Sequence, residues 1–119
     1  MNKELDALAR VMLKDASSTR RCQRVLALLI GSRSGNNVPK EELRVACREF
    51  RVYDPATFSY YMADLRPIHK GKGRKLANPW FRETKEKGGK VVGWSLTKAA
   101  RAEADRLIGL AKLKASIGG

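Results

Sequence analysis

Residues 54–67 read Asp54-Pro55-Ala56-Thr57-Phe58-Ser59-Tyr60-Tyr61-Met62-Ala63-Asp64-Leu65-Arg66-Pro67. Phe58, Met62 and Leu65 fall at i, i+4 and i+7, the spacing that lines one face of an α-helix. Asp54 followed by Pro55 marks a start, because a short carboxylate accepts from unpaired amides and proline suits the first helical turn. Pro67 marks the stop. The stretch is therefore predicted as a helix over 54–66 with an apolar seam. Ala56, Tyr60, Ala63 and Asp64 are then directed largely to the opposite side, flanked by Thr57 and Ser59.

Upstream, Val38-Pro39 leads into Lys40-Glu41-Glu42-Leu43, where both glutamates favour the positive end of a helix dipole. Leu43, Ala46, Cys47 and Phe50 recur at i, i+3, i+4 and i+7 and predict one buried face. Only Arg51-Val52-Tyr53 separates this helix from the next, and two short helices joined by so brief a turn form a helix-turn-helix. Earlier still, residues 20–32 are almost wholly apolar at their centre (Val25, Leu26, Leu28, Leu29, Ile30) and predict the spine of the core. Ser17-Ser18-Thr19 offers that helix an N-cap, and Gly31 to Asn37 is a loop by composition. Leu5, Leu8 and Met12 stripe a first helix over 3–15.

Downstream the period changes from helical to alternating. Trp80 to Thr84 and Lys90 to Leu96 read as two strands, joined as a hairpin through Lys85-Glu86-Lys87-Gly88-Gly89. Val92, Trp94 and Leu96 alternate onto one face, predicted to pack on the helices. Thr97 can cap a last helix over 98–115 bearing Leu107, Leu110, Ala111 and Leu113. The fold class expected is mainly α with a small β-hairpin, in one domain spanning 1–119.

Charge narrows the function. The 119 residues carry 25 Lys and Arg against 12 Asp and Glu, a net charge of +13. Residues 66–90 alone hold nine basic and two acidic groups, so +7 of the +13 sits in about a fifth of the chain. A surface evolved for solubility alone mixes its signs more evenly. So concentrated an excess repels itself unless a polyanion neutralises it, and nucleic acid is the first candidate, because binding phosphates releases condensed counterions.

The order helix, helix-turn-helix, hairpin, helix resembles the winged helix-turn-helix superfamily. Ala56 to Leu65 looks like the "x-Thr-Val-Ser-x-x-Leu-x-x-Leu" recognition helix of bacterial regulators of the multiple-antibiotic-resistance type. Trp94-Ser95-Leu96-Thr97-Lys98-Ala99-Ala100 is similar to the "aromatic-x-Leu-Thr-x-x-Gly" passage from their second wing strand into the next helix. The likeness covers roughly residues 20–107 and implies a winged-helix core over 20–97 with extra N- and C-terminal helices. It also implies that Thr57, Ser59 and Tyr60 touch DNA. The stretch from Pro67 to Pro79 departs from the pattern, being long for a connection between recognition helix and first wing strand.

Ala63 adds a small outward position that allows close approach to a groove floor, and Arg66 is the first cation of the helix. Asp64 would repel a phosphate it faced. Most of the electrostatics must then come from elsewhere. Lys70, Lys72, Arg74 and Lys75, interleaved with Gly71 and Gly73, suit an arm entering a minor groove or following a backbone. Lys85, Lys87 and Lys90 sit at the hairpin tip, and Arg20, Arg21 and Arg24 lie at the start of the spine helix.

Catalysis finds no support. His69 is the sole histidine and has no triad or metal pattern around it, and no cofactor is implied. Cys22 and Cys47 read as small buried hydrophobes of a reducing compartment rather than a disulfide or a zinc site. Met1 to Asp6 is charged, unlike a signal peptide, and no apolar run reaches membrane-spanning length, so a cytoplasmic, nucleoid-associated protein is expected. Trp80 and Trp94 read as core or wing-base packing before base stacking. The Leu5–Leu8–Met12 and Leu107–Leu110–Leu113 stripes either pack on the core or pair two copies into a homodimer. Three readings remain: a double-stranded-DNA-binding transcriptional regulator, an RNA-binding winged helix in a ribonucleoprotein, and an assembly subunit on a winged-helix scaffold.

Overall fold

The computed structural model describes residues 3–14, 16, 18–56, 58, 62 and 80–117, with backbone alone for residues 3–5 and Arg20. Among them lie four helices and three strands: α1 (Lys3–Lys14), α2 (Thr19–Arg33), β1 (Asn37–Pro39), α3 (Lys40–Glu49), β2 (Phe81–Lys85), β3 (Val91–Leu96) and α4 (Lys98–Ile117). Phe58 and Met62 are also helical, and both are buried. The chain is mainly helical, with one small antiparallel sheet in the order β1-β3-β2.

Local chemistry accounts for the boundaries. Ser18 caps α2 from extended backbone, its hydroxyl accepting from the Arg21 amide at 3.2 Å. Thr97 does the same for α4, accepting from the Ala100 amide at 3.2 Å. The Asp54 carboxylate accepts from the Ala56 amide at 3.1 Å, as expected of a residue opening the next turn. Glu41 and Glu42 sit in the first turn of α3, where no side chain caps the helix.

The predicted spine is found as α2. Leu26, Ala27, Leu28, Leu29 and Ile30 are all buried, and they gather Leu8 and Met12 of α1, Leu43, Ala46 and Cys47 of α3, Trp94 and Leu96 of β3, and Ala100, Ala104 and Ala111 of α4 into one core. Phe50, predicted inside, is half-buried beneath the Arg10 guanidinium, which lies 5.5 Å from the ring centroid.

The sheet differs from the expected two-stranded hairpin. Residues 31–37 are not one loop: α2 runs on to Arg33, a turn occupies 34–36, and Asn37–Pro39 forms β1 against Gly93–Ser95 of β3. A three-residue strand with one apolar side chain, Val38, is too short to leave an alternating signal. Val92 is also displaced from its predicted inward face and is 38% exposed. The register explains this. Thr84 pairs with Gly93 but Lys85 with Val91, so Val92 is the extra residue of a β-bulge, beyond the stretch that β1 covers.

Gly93 permits the β1–β3 approach. A Cβ there would lie 2.6 Å from the Val38 carbonyl oxygen and 3.2 Å from the Pro39 Cα, contacts with backbone that cannot swing aside. Gly93→Ala is therefore expected to destabilise the protein by about 1–3 kcal/mol, the range for overpacking a tight site. Urea unfolding checks it, and an unchanged midpoint would refute the close approach.

Candidate nucleic-acid interface

Phe58 anchors the segment that sequence assigns to recognition. It is 3% exposed, meets Tyr53 edge-to-face at 5.4 Å and Trp94 at 6.1 Å, and carries the Arg44 guanidinium 5.5 Å from its centroid. Its carbonyl accepts a 2.7 Å hydrogen bond from the fully buried amide of Gln23 on α2. Met62, four residues on, is wholly inaccessible. Two members of the predicted Phe58–Met62–Leu65 seam are therefore inside, and Leu65 lies outside the described residues.

Among the described residues Gln23 is the one fully buried polar side chain, on α2 between Cys22 and Arg24. Among the described residues its Oε1 finds no hydrogen-bond partner, a cost of about 1–3 kcal/mol set against the bond its other end donates. Such a cost is tolerated where the bond fixes a backbone position. Here it fixes the start of the Phe58 segment against the first turns of α2.

The hairpin supplies a projecting arm. Phe81 is buried, but every residue from Arg82 to Lys90 is exposed, because β1 backs β3 only at Gly93–Ser95. Gly88 and Gly89 adopt positive φ (102° and 87°) at the tip, and the turn closes with Glu86 and Lys90, and Gly89 and Glu86, joined by 3.0 Å backbone bonds. Lys85, Lys87 and Lys90 are all on this arm, with Lys85 3.7 Å from Glu83. The arm is rooted at Trp94, the same ring that touches Phe58.

Of the other predicted contacts, Arg21 is exposed on the first turn of α2, two residues before Gln23. Arg24 is half-buried at a cavity instead of reaching outward. The side chain of Arg20, and all of Thr57, Ser59, Tyr60, Ala63, Arg66, Lys70, Lys72, Arg74 and Lys75, lie outside the described residues, as does His69.

Two cations beside Phe58 were not singled out from sequence. Arg44 stacks over Phe58 while paired with Glu41, and Arg48, one turn on, stacks 4.8 Å over Tyr53. Their i, i+4 spacing was a weak signal that charge counting over long segments hides.

This chain matches no family model, no curated protein and no solved structure.

The remaining chemistry is quiet. Burial pushes the Cys47 thiol up to about 12, with Cys22 adding to the rise, and burial also raises Cys22. Both thiols are therefore protonated at neutral pH and poor nucleophiles. Among the described residues no cluster of His, Cys, Asp and Glu could hold a metal ion, and no helix is long and apolar enough to cross a membrane. Trp94 is buried and Trp80 half-buried at the base of the hairpin, so both serve packing.

Proposed function

We propose that this chain is a winged helix-turn-helix protein that binds duplex DNA as a transcriptional regulator. In this reading the helix carrying Phe58 and Met62 enters the major groove, and the hairpin is a wing whose lysines meet the adjacent backbone. The observation that carries it is the pinning of Phe58 by Gln23, Tyr53 and Trp94 beside a fully exposed, lysine-bearing arm. A helix held by one buried side has its other side available for a groove. The +7 of residues 66–90 supports a phosphate partner for the surroundings of that helix. RNA binding and a protein-assembly role use the same scaffold, but neither has a separate observation in its favour.

We further read the regulator as a homodimer formed through the end of α4. Leu8 and Met12 turn the α1 stripe inward, leaving it unsuited to pairing. Leu110, Leu113 and Ile117, at i, i+3 and i+7, are 43%, 56% and 78% exposed. A two-fold pairing of such stripes would place two recognition helices about one DNA turn apart.

The test is selective. Duplexes are first enriched from a random library by binding to the protein. Thr57→Ala and Tyr60→Ala are then expected to weaken the enriched site about tenfold, the worth of one lost base-edge contact, and random duplex by less than about twofold. Equal losses on both duplexes would remove the recognition-helix assignment.

A further inference from the structure

β2 is an outer strand of its sheet: β3 lies on one side, and among the described residues no strand lies on the other. The backbone bonds fix which groups that outer edge presents. The Trp80 carbonyl accepts from the Thr97 amide, and the Glu86 amide donates to the Lys90 carbonyl, both at 3.0 Å. Bonding towards one neighbour alternates along an antiparallel strand, and the bulge residue, Val92, belongs to β3. Residues 82, 84 and 86 therefore bond inwards, while Glu83 and Lys85 turn their amides and carbonyls outwards. Such a row of backbone groups is a template for another strand, and side-chain charge ordinarily guards it.

Here the order of the charges invites one particular strand. Residues 82–86 read Arg-Glu-Thr-Lys-Glu, and all are exposed. Laid antiparallel with Thr84 opposite Thr84, Arg82 faces the second copy's Glu86, and Glu83 faces its Lys85. The two-fold axis repeats both pairs, so every charged pair is of opposite sign. In this register the outward amides and carbonyls of Glu83 and Lys85 also meet those of the second copy's Lys85 and Glu83. The smallest slip that keeps outward groups facing is two residues. It sets Glu83 against Glu83 or Lys85 against Lys85, and like charges directly opposite are destabilising. We infer that the outer edge of β2 is a self-association surface, to which a second copy of this chain adds its own β2 antiparallel about Thr84. The contact is short beside a standard interface of about 1,600 Å² and is therefore weak in dilute solution.

The surface requires neither DNA nor the α4 stripe, and cysteine trapping without DNA tests it. Residues opposed at a non-bonded antiparallel position have Cα atoms about 4.5 Å apart, within disulfide reach. Thr84→Cys, oxidised with diamide and followed on non-reducing gels, is expected to cross-link two copies at least about tenfold faster than Lys87→Cys. Lys87 is also exposed on the hairpin but meets no copy of itself in this register. Cys22 and Cys47 are buried and give no background. On the Thr84→Cys protein, Glu83→Lys and Lys85→Glu each oppose like charges, and each should slow cross-linking about fivefold or more. A general charge effect would instead slow the first and speed the second, because the chain carries +13. Mixed in equal amounts, the two variants again oppose unlike charges and should cross-link to within about threefold of the Thr84→Cys rate. Thermal melts by circular dichroism establish that each variant remains folded. Equal rates for Thr84→Cys and Lys87→Cys would overturn the edge contact. Opposite effects of the two charge variants, or a mixture no faster than its components, would overturn the charge-matched pairing.

Discussion

Trp94→Ala is expected to cost about 3–5 kcal/mol of folding stability, the range for removing a large buried aromatic side chain. Few positions in the chain join so many elements. Trp94 is 2% exposed, sits opposite Val38 of β1 and Glu83 of β2, and meets Phe58 at 6.1 Å. Its loss leaves a cavity where sheet and helices join, and small domains hold only about 5–15 kcal/mol in reserve. At about 4 °C per kcal/mol for a chain of this size, the melting temperature should fall by roughly 12–20 °C. Trp94→Phe retains an aromatic ring and should lose about 1–2 kcal/mol. Differential scanning calorimetry separates the two variants. A fall of less than about 1 kcal/mol in the alanine variant would mean that Trp94 is not the keystone of the sheet–helix junction.

The second large effect concerns charge. Replacing Lys70, Lys72, Arg74 and Lys75 together with Gln should weaken duplex binding about a hundredfold or more at near-physiological salt. Each phosphate contact contributes about −0.9 to the slope of log affinity against log salt, so roughly six contacts give a slope near −5 and the two left after the replacement a slope of about −2. Selected and random duplexes should suffer alike, because backbone contacts position a protein without reading sequence. Fluorescence anisotropy over a salt series gives both quantities. A variant with an unchanged slope would show that the basic stretch plays no part in phosphate contact.

Much of the architecture was legible because it is written in periods. The seams of α2 and α3, the Ser18 and Thr97 caps and the hairpin turn at Gly88-Gly89 each follow from local spacing or local chemistry. What escaped depends on contacts between distant residues. β1 is a strand only because Gly93 lets β3 come within reach, and nothing in Asn37-Val38-Pro39 announces its partner. The bulge that turns Val92 outward belongs to a register, which no single strand encodes.

The proposed interface was legible in its charge and less so in its support. Lysines on a glycine-bearing turn were visible at once. The pinning of the Phe58 segment was not, because a glutamine among the arginines at the start of α2 reads as one more exposed polar residue until its partner, 35 residues away, is known. The stacking of Arg44 and Arg48 on Phe58 and Tyr53 was hidden because charge counted over long segments does not single out two arginines one helical turn apart. Helical stripes likewise cannot say which of two will be covered. α1 lies against the core with Leu8 and Met12 inward, while α4 runs past it and leaves Leu110, Leu113 and Ile117 in water.

Duplex DNA, single-stranded DNA and structured RNA of equal length, compared for binding over a salt series, address the function most directly. The protein should hold duplex DNA more tightly than either competitor at about 0.15 M salt, with a log–log slope near −5. Preference for single strands or RNA, or no binding to any of the three at that ionic strength, would contradict a duplex-binding regulator.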